Sequence, residues 1–304
     1  MTVVARSVAR AARALAQAGV ACLLGLVALG AHAYAGPNGL QAKYSQLREQ
    51  LHHNNFQRAL YIESSEVGDT LKGDVYAVLD HPFATVSAAL KDPADWCDII
   101  LLPFNTKACR AVGGNQNATL QVRIGRKFDQ PEKDAYPLDF TWQPIAVQPD
   151  YFESRLTAAT GPIGTRDYRI AVSAIPLERG RTFLHLSYSY GYGFAGRMAM
   201  QGYLATAGAD KVGFSITGKD GNGHPIYIGG MRGAIERNAM RYYLAIDAHL
   251  ASLSAPSGQQ LDKRITAWFN ATERYARQLH EMDRSTYVAM KHGEYGRQQQ
   301  AAAR

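Results

Sequence analysis

The chain has 304 residues, is 46% hydrophobic and 19% charged, and carries a formal net charge of +7. Three arginines of that excess lie in an N-terminal leader, so the remainder carries +4, scattered along the chain. A nucleic-acid surface gathers Lys and Arg into a stripe or run; none is present, and no nucleic-acid partner is expected.

Residues 1–35 read as a secretory signal peptide. Arg6, Arg10 and Arg13 form a basic region free of acids, Val20–Gly30 is an apolar core, and Ala31-His32-Ala33 and Ala33-Tyr34-Ala35 offer small-residue cleavage sites. The apolar run is shorter than the about 20 residues of a membrane span. Cys22 precedes most of it behind a poor lipobox, and no twin-arginine pair is present. The expected location is periplasmic or secreted, with the leader cleaved.

Residues 36–62 form an N-terminal helical segment: Tyr44, Leu47, Leu51 and Phe56 recur near helical spacing over Gln41–Leu60. A core domain follows over 63–254. Lys72–Leu79 is a Val- and Tyr-rich strand ended by Asp80-His81-Pro82-Phe83, since proline has no donor for a ladder. Ala84–Leu90 reads as a helix with Val86 and Leu90 on one face, and Asp92-Pro93-Ala94-Asp95-Trp96 opens a second, with proline at a tolerated early position. Cys97 and Cys109 are the only cysteines beyond the leader. In an oxidising compartment they would close a loop of about 13 residues, with roughly 3 kcal/mol of stabilisation; two free buried thiols are the alternative. No metal site is expected, because two cysteines without a nearby His pair do not complete a tetrahedral set.

The next strands alternate with period two, which puts every second side chain on one face. One face carries Leu120, Val122 and Ile124; then Phe152, Ser154, Leu156 and Ala158; then Tyr168, Ile170, Val172 and Ala174. Leu184, Leu186, Tyr188 and Tyr190 continue it, followed by Val212, Phe214 and Ile216. Arg179-Gly180 and Asp220-Gly221-Asn222-Gly223 are turn signals, and such close spacing implies antiparallel pairing. Gly191–Asp210, flexible and then Met-rich, is the candidate lid or membrane-touching element. Over Met231–Leu253 the period changes: Ile235, Ala239, Tyr242, Ile246, His249 and Leu253 mark an amphipathic helix of roughly 33 Å, with Arg232, Arg237 and Arg241 off its stripe. Residues 255–304 are a C-terminal helical extension. Leu261, Ile265, Trp268, Thr272, Tyr275, Leu279 and Met282 form its stripe, with fraying expected from Gly293.

The order of strand, short helices, antiparallel strands and long helix resembles the START-like helix-grip superfamily, which includes polyketide cyclases and Bet v 1-like carriers. The likeness rests on Leu71–Phe83, Ala89–Trp96 and the helix Gly230–Leu253. It implies an α+β fold: a curved antiparallel sheet of about six or seven strands wrapped on a long C-terminal helix, with extra helices at both ends. It also implies an apolar tunnel faced by Ile170, Val172, Leu186, Tyr188, Tyr190 and Phe214, with Tyr242 and Ile246 opposite on the helix. A solid core needs the same patterning and stays open as the alternative.

Catalytic signatures are absent. No Gly-x-Ser-x-Gly elbow occurs, Gly218–Gly223 lacks the order of a phosphate-binding loop, and His185 is expected to face outward into solvent. No catalytic residue and no cofactor is therefore expected. The function read from this pattern is an exported protein binding a hydrophobic or lipid-like small molecule, with mild basicity suiting contact with a membrane surface. An exported enzyme using Arg123, His185 or tyrosines in the same cavity, and a membrane-associated β-rich envelope protein, are the alternatives.

Overall fold

The computed structural model describes residues 36–206 and 208–302; the expected signal peptide lies outside them. Helices α1 (Gly36–Gln46) and α2 (Arg48–His52) come first. Helix was expected through Leu60, but Asn54 ends it. Its amide donates to the Gln50 and Leu51 carbonyls while its Oδ1 accepts from the Phe56 N–H, so a side chain takes over the helix's own hydrogen bonds. Gln57 then turns the chain at φ 56°, and Leu60–Val67 becomes strand β1.

Strand β2 (Thr70–Leu79) runs into α3 (Phe83–Leu90) and α4 (Pro93–Ile100) as expected. The Asp92 side chain caps α4 by accepting from the Ala94 N–H. Six strands follow: β3 (Thr106–Gly114), β4 (Asn117–Ile124), β5 (Tyr136–Val147), β6 (Phe152–Thr160), β7 (Thr165–Leu177) and β8 (Arg181–Tyr192). The turn at Arg179-Gly180 joins β7 to β8, with both residues at positive φ.

All eight strands form one antiparallel sheet in the order β1-β2-β8-β7-β6-β5-β4-β3. The sheet is open, with β1 and β3 at its edges, so the described strands do not build a closed barrel. Helix α5 (Phe194–Ala205) follows β8. The strand expected over Val212–Ile216 is instead mostly irregular backbone. Ile216–Lys219 (β9) and Pro225–Tyr227 (β10) make a separate small hairpin around the Asp220–Gly223 turn.

The long helix α6 (Gly230–Ser252) lies across the concave side of the sheet. Strand order and helix placement together make this an α+β helix-grip fold. Gly73 on β2 sets how closely the two meet: a Cβ there would stand 3.2 Å from the Ile235 carbonyl oxygen and 3.3 Å from the Ala239 Cβ. The helix is thereby drawn towards the β1–β2–β8 half of the sheet.

Arg237 and Arg241, expected off the apolar stripe, are 3% and 8% exposed. The reason is a second layer, α7 (Ser257–Glu273), α8 (Ala276–Leu279) and α9 (Arg284–Ala302), which covers the back of α6. Arg237 donates to the Val212 carbonyl, and Arg241 pairs with Glu281 at 2.6 Å. The fraying expected from Gly293 is not observed. Glu294, fully buried, accepts from Lys107 and Lys291 at 2.8 and 2.7 Å and ties α9 to the start of β3. Burial pulls the Lys291 ammonium down to about 8, with Glu294 partly offsetting it.

Cys97 on α4 and Cys109 on β3 are disulfide-bonded, with Cα atoms 5.1 Å apart. On the convex face Leu40, Leu47 and Leu51 cover Tyr76, Ile175 and Phe183 in a smaller second core. His185 does lie on this outer face, but not free in solvent. Its Nε2 is 2.8 Å from Asp74 Oδ1, and its ring stacks on Tyr76 at 4.3 Å.

Candidate functional site

Because α6 leans towards β2, the space beneath it is not uniform along the inner face. Ile170, Val172, Leu186 and Ile246 are fully buried and interdigitate as solid core. Further along the same strands that core gives way to a cavity of about 300 Å³, walled by Tyr168, Tyr188 and Tyr190 from the sheet and Tyr242 and Asn238 from α6. Ile124, Leu138 and Asn105 close it on the β4–β5 side; Gly196, Ala199 and Met200 of α5 and the turn Pro162–Ile163 form its roof.

The eight side chains that the resemblance brings together therefore separate. Tyr188, Tyr190 and Tyr242 line the cavity, and Ile170, Val172, Leu186 and Ile246 pack around its inner end. Phe214 lies elsewhere, in a groove of about 610 Å³ against Phe56 and Tyr275, at ring distances of 5.9 and 5.6 Å. Tyr168 completes the cavity wall. Its inward position is legible from the alternation of β7, whereas nothing local in the sequence marks Pro162 and Ile163 as roof.

The four tyrosines touch one another. Tyr168 and Tyr190 stack at 5.2 Å and 18°, and Tyr188 meets Tyr242 at 5.2 Å. Tyr168 donates to Thr165 Oγ1 at 2.8 Å. The hydroxyls of Tyr188, Tyr190 and Tyr242 have no hydrogen-bond partner among the described residues. Burial pushes all three above the usual phenol range, because the phenolate would be poorly solvated there. They are neutral O–H donors at physiological pH. No Asp, Glu, Lys, Arg or His lines the cavity among the described residues.

The roof carries exposed apolar side chains. On α5, Phe194 is 81% and Met198 54% exposed, and Ile163 is 54% exposed at φ 55°, a conformation unusual for a β-branched residue. Of the side chains considered for acid–base work, the tyrosines line this cavity, whereas Arg123 and His185 do not. Arg123 pairs with Asp139 and His185 with Asp74, both on the opposite face of the sheet.

One cluster elsewhere has metal-ligand chemistry. Donor atoms of Asp95, Asp98 and His249 lie within 4.8 Å of one another between α4 and α6. Arg264 already occupies it, paired with Asp98 and 3.4 Å from His249 Nδ1, while Asp95 lies 3.5 Å from His249 Nε2. No helix of the described residues is long and apolar enough to cross a membrane.

Fold and cavity together define a helix-grip fold whose sheet–helix seam holds a cavity that no charged side chain lines among the described residues. No family model matches the chain, and no curated protein matches it. Among solved structures it is similar to the Zhui aromatase/cyclase from Streptomyces sp. R1128, at 13% identity over 73% of this chain and 100% of that one, TM-score 0.32. It is also similar to norcoclaurine synthase from Thalictrum flavum, at 12% identity over 48% and 87%, TM-score 0.32. A third is the human StarD13 lipid transfer and protein localization domain, at 9% identity over 54% and 88%, TM-score 0.36. The architecture stated here rests on the strand order and helix placement of this chain.

Proposed function

We propose that this chain is an exported binding protein that takes an apolar or amphipathic small molecule into the chamber between Tyr168, Tyr188, Tyr190 and Tyr242. The observation that carries the proposal is the chamber itself: a mostly apolar space at the sheet–helix seam, uncharged among the described residues, where three hydroxyls present hydrogen-bonding capacity that no described protein group uses. Small-molecule sites have this character, mostly apolar walls with a few placed polar groups. A buried disulfide supports export, since such bonds persist in oxidising compartments. The exposed Phe194 and Met198 beside the chamber support contact with a membrane surface as the place where ligand enters or leaves.

The test is native mass spectrometry on protein purified without detergent, paired with titration of an apolar fluorescent dye. A co-purifying small molecule and a saturable dye site that it displaces are expected. Absence of both would remove the container reading. Steady turnover of a screened substrate at the same site would favour the enzyme alternative.

A further inference from the structure

The groove that holds Phe214 is separate from the chamber. It is walled by α2 and the segment after it, the start of β1, the hairpin β9–β10 and the α7–α8 connection, and no residue of α6 lines it. At about 610 Å³ it falls within the usual size of small-molecule sites. Its floor is aromatic: Phe56, Phe214 and Tyr275 meet at ring distances of 5.6, 5.9 and 6.2 Å. Tyr275 is fixed there by donating to the Phe56 carbonyl at 3.0 Å, and Phe214 by its N–H to Glu236. Such a floor can take an apolar group out of water.

The charge on the walls has one sign. Arg274 and Arg277 both line the groove and are exposed, and no Asp or Glu lines it among the described residues. The nearest carboxylates in sequence are turned to other partners, Glu49 to His53 at 2.6 Å and Glu273 to His280 at 2.9 Å. Arg277 lies over the Tyr227 ring at 5.1 Å; a guanidinium held on a ring still has in-plane N–H groups for an oxyanion. Gln278 adds an amide that is 6% exposed, and its side chain has no hydrogen-bond partner among the described residues. Two cations without a counter-charge beside an aromatic floor call for a ligand that is anionic at one end and apolar at the other.

We propose that this groove is a second binding site, for an amphipathic organic anion whose oxyanion head is held by Arg274 and Arg277 and whose apolar body lies on Phe56, Phe214 and Tyr275. The site does not depend on the chamber, and either can stand without the other.

Isothermal titration calorimetry would compare phenylbutyrate with its neutral amide, phenylbutanamide, and with acetate, which has the charge without the apolar body. Phenylbutyrate should bind at one site, the amide at least about tenfold more weakly, and acetate without saturation. In R274Q/R277Q, where both side chains are exposed and the fold is kept, phenylbutyrate should fall to the affinity of the amide while the amide is unchanged. Raising the salt from about 0.02 M to about 0.5 M should weaken the acid and spare the amide, because exposed charges are screened. The chamber variant Y188F/Y242F should alter neither. The amide or acetate matching phenylbutyrate, R274Q/R277Q binding it like the wild type, a loss in Y188F/Y242F, or no binding of it at all would each overturn the groove site. The chamber is tested separately, by the dye and the co-purifying ligand.

Discussion

Glu236 gives the sharpest energetic prediction. It is fully buried on α6 and accepts four hydrogen bonds: Oε2 from the Phe214 and Ser215 N–H groups at 2.6 and 2.8 Å, Oε1 from the Ser215 and Ser64 hydroxyls at 2.7 and 2.6 Å. The four donors are not equivalent. A hydroxyl can rotate and accept, whereas a backbone N–H can only donate. In E236Q the amide oxygen can take the Oε2 place and keep both N–H bonds, while its NH₂ donates to hydroxyls that have turned round. A cost of about 1–2 kcal/mol is expected. In E236A the buried Phe214 N–H and the half-buried Ser215 N–H both lose their acceptor at about 1–3 kcal/mol each, so about 4 kcal/mol is expected. Urea unfolding followed by circular dichroism should show both midpoints lowered at unchanged slope, with the alanine variant losing at least twice as much. Equal losses for the two variants would show that the donor asymmetry is not what Glu236 serves. A loss below about 1 kcal/mol for E236A would show that the loop over 212–216 is not anchored by this residue.

Two further outcomes follow from the same structure. With a sequence separation of 12 between Cys97 and Cys109, reduction should cost about 3 kcal/mol in the loop-entropy account. That is a fall in melting temperature of about 6–12 °C, absent in a C97A/C109A variant; an unchanged wild-type melt after reduction would mean that no such bond forms. Stability should also respond to alkaline pH in two opposite stages. Lys291 titrates near 8 when folded against an unfolded value of 10.5, so the unfolded chain binds more protons between those limits, and this group adds stability as pH rises through them. Tyr188, Tyr190, Tyr242, Tyr243 and Tyr287 are displaced upward by burial, so their contribution is intact below about pH 10 and lost above it, at up to about 1.4 kcal/mol per tyrosine per pH unit. Unfolding midpoints should hold or rise from pH 8 to 10 and collapse by pH 11, with the phenolate absorbance of these five tyrosines appearing only at the collapse. Phenolate absorbance from these residues in the folded protein near pH 10 would refute their burial.

What the sequence announces, it announces by uninterrupted period. The strands around Leu120–Ile124, Tyr168–Ala174 and Leu184–Tyr190, the two short helices and the long helix were legible because each keeps one rhythm over its length. Strand β5 was not, although Leu138, Phe140 and Trp142 alternate inward, because Pro137 and Pro144 interrupt the run and mask it as loop. Strand β3 begins with Thr106, Lys107, Ala108 and Cys109 buried on both faces, so no alternation can appear; its outer cover, α9, comes from the far end of the chain. Val212, Phe214 and Ile216 failed in the opposite sense. They alternate like a strand, but the N–H groups of Phe214 and Ser215 go to Glu236, and backbone pairing is confined to Gly213 and Ser215 with Ile228.

The chamber was half legible for a related reason. Period two tells which face a side chain joins, but not how far along that face the covering helix reaches. Ile170 and Leu186 share a face with Tyr188 and Tyr190, yet the first pair is sealed core and the second pair lines a cavity. The deciding contact is tertiary, the close pass of α6 over Gly73, which draws the helix onto one half of the sheet and leaves the cavity roofed by α5 and the turn Pro162–Ile163. One local mark of that boundary is present in the sequence. Along β8 the inward residues run Leu184, Leu186, Tyr188, Tyr190, changing from wholly apolar to amphipathic. Burying a hydroxyl without a partner is costly, and along β8 the change from leucine to tyrosine coincides with the start of the cavity.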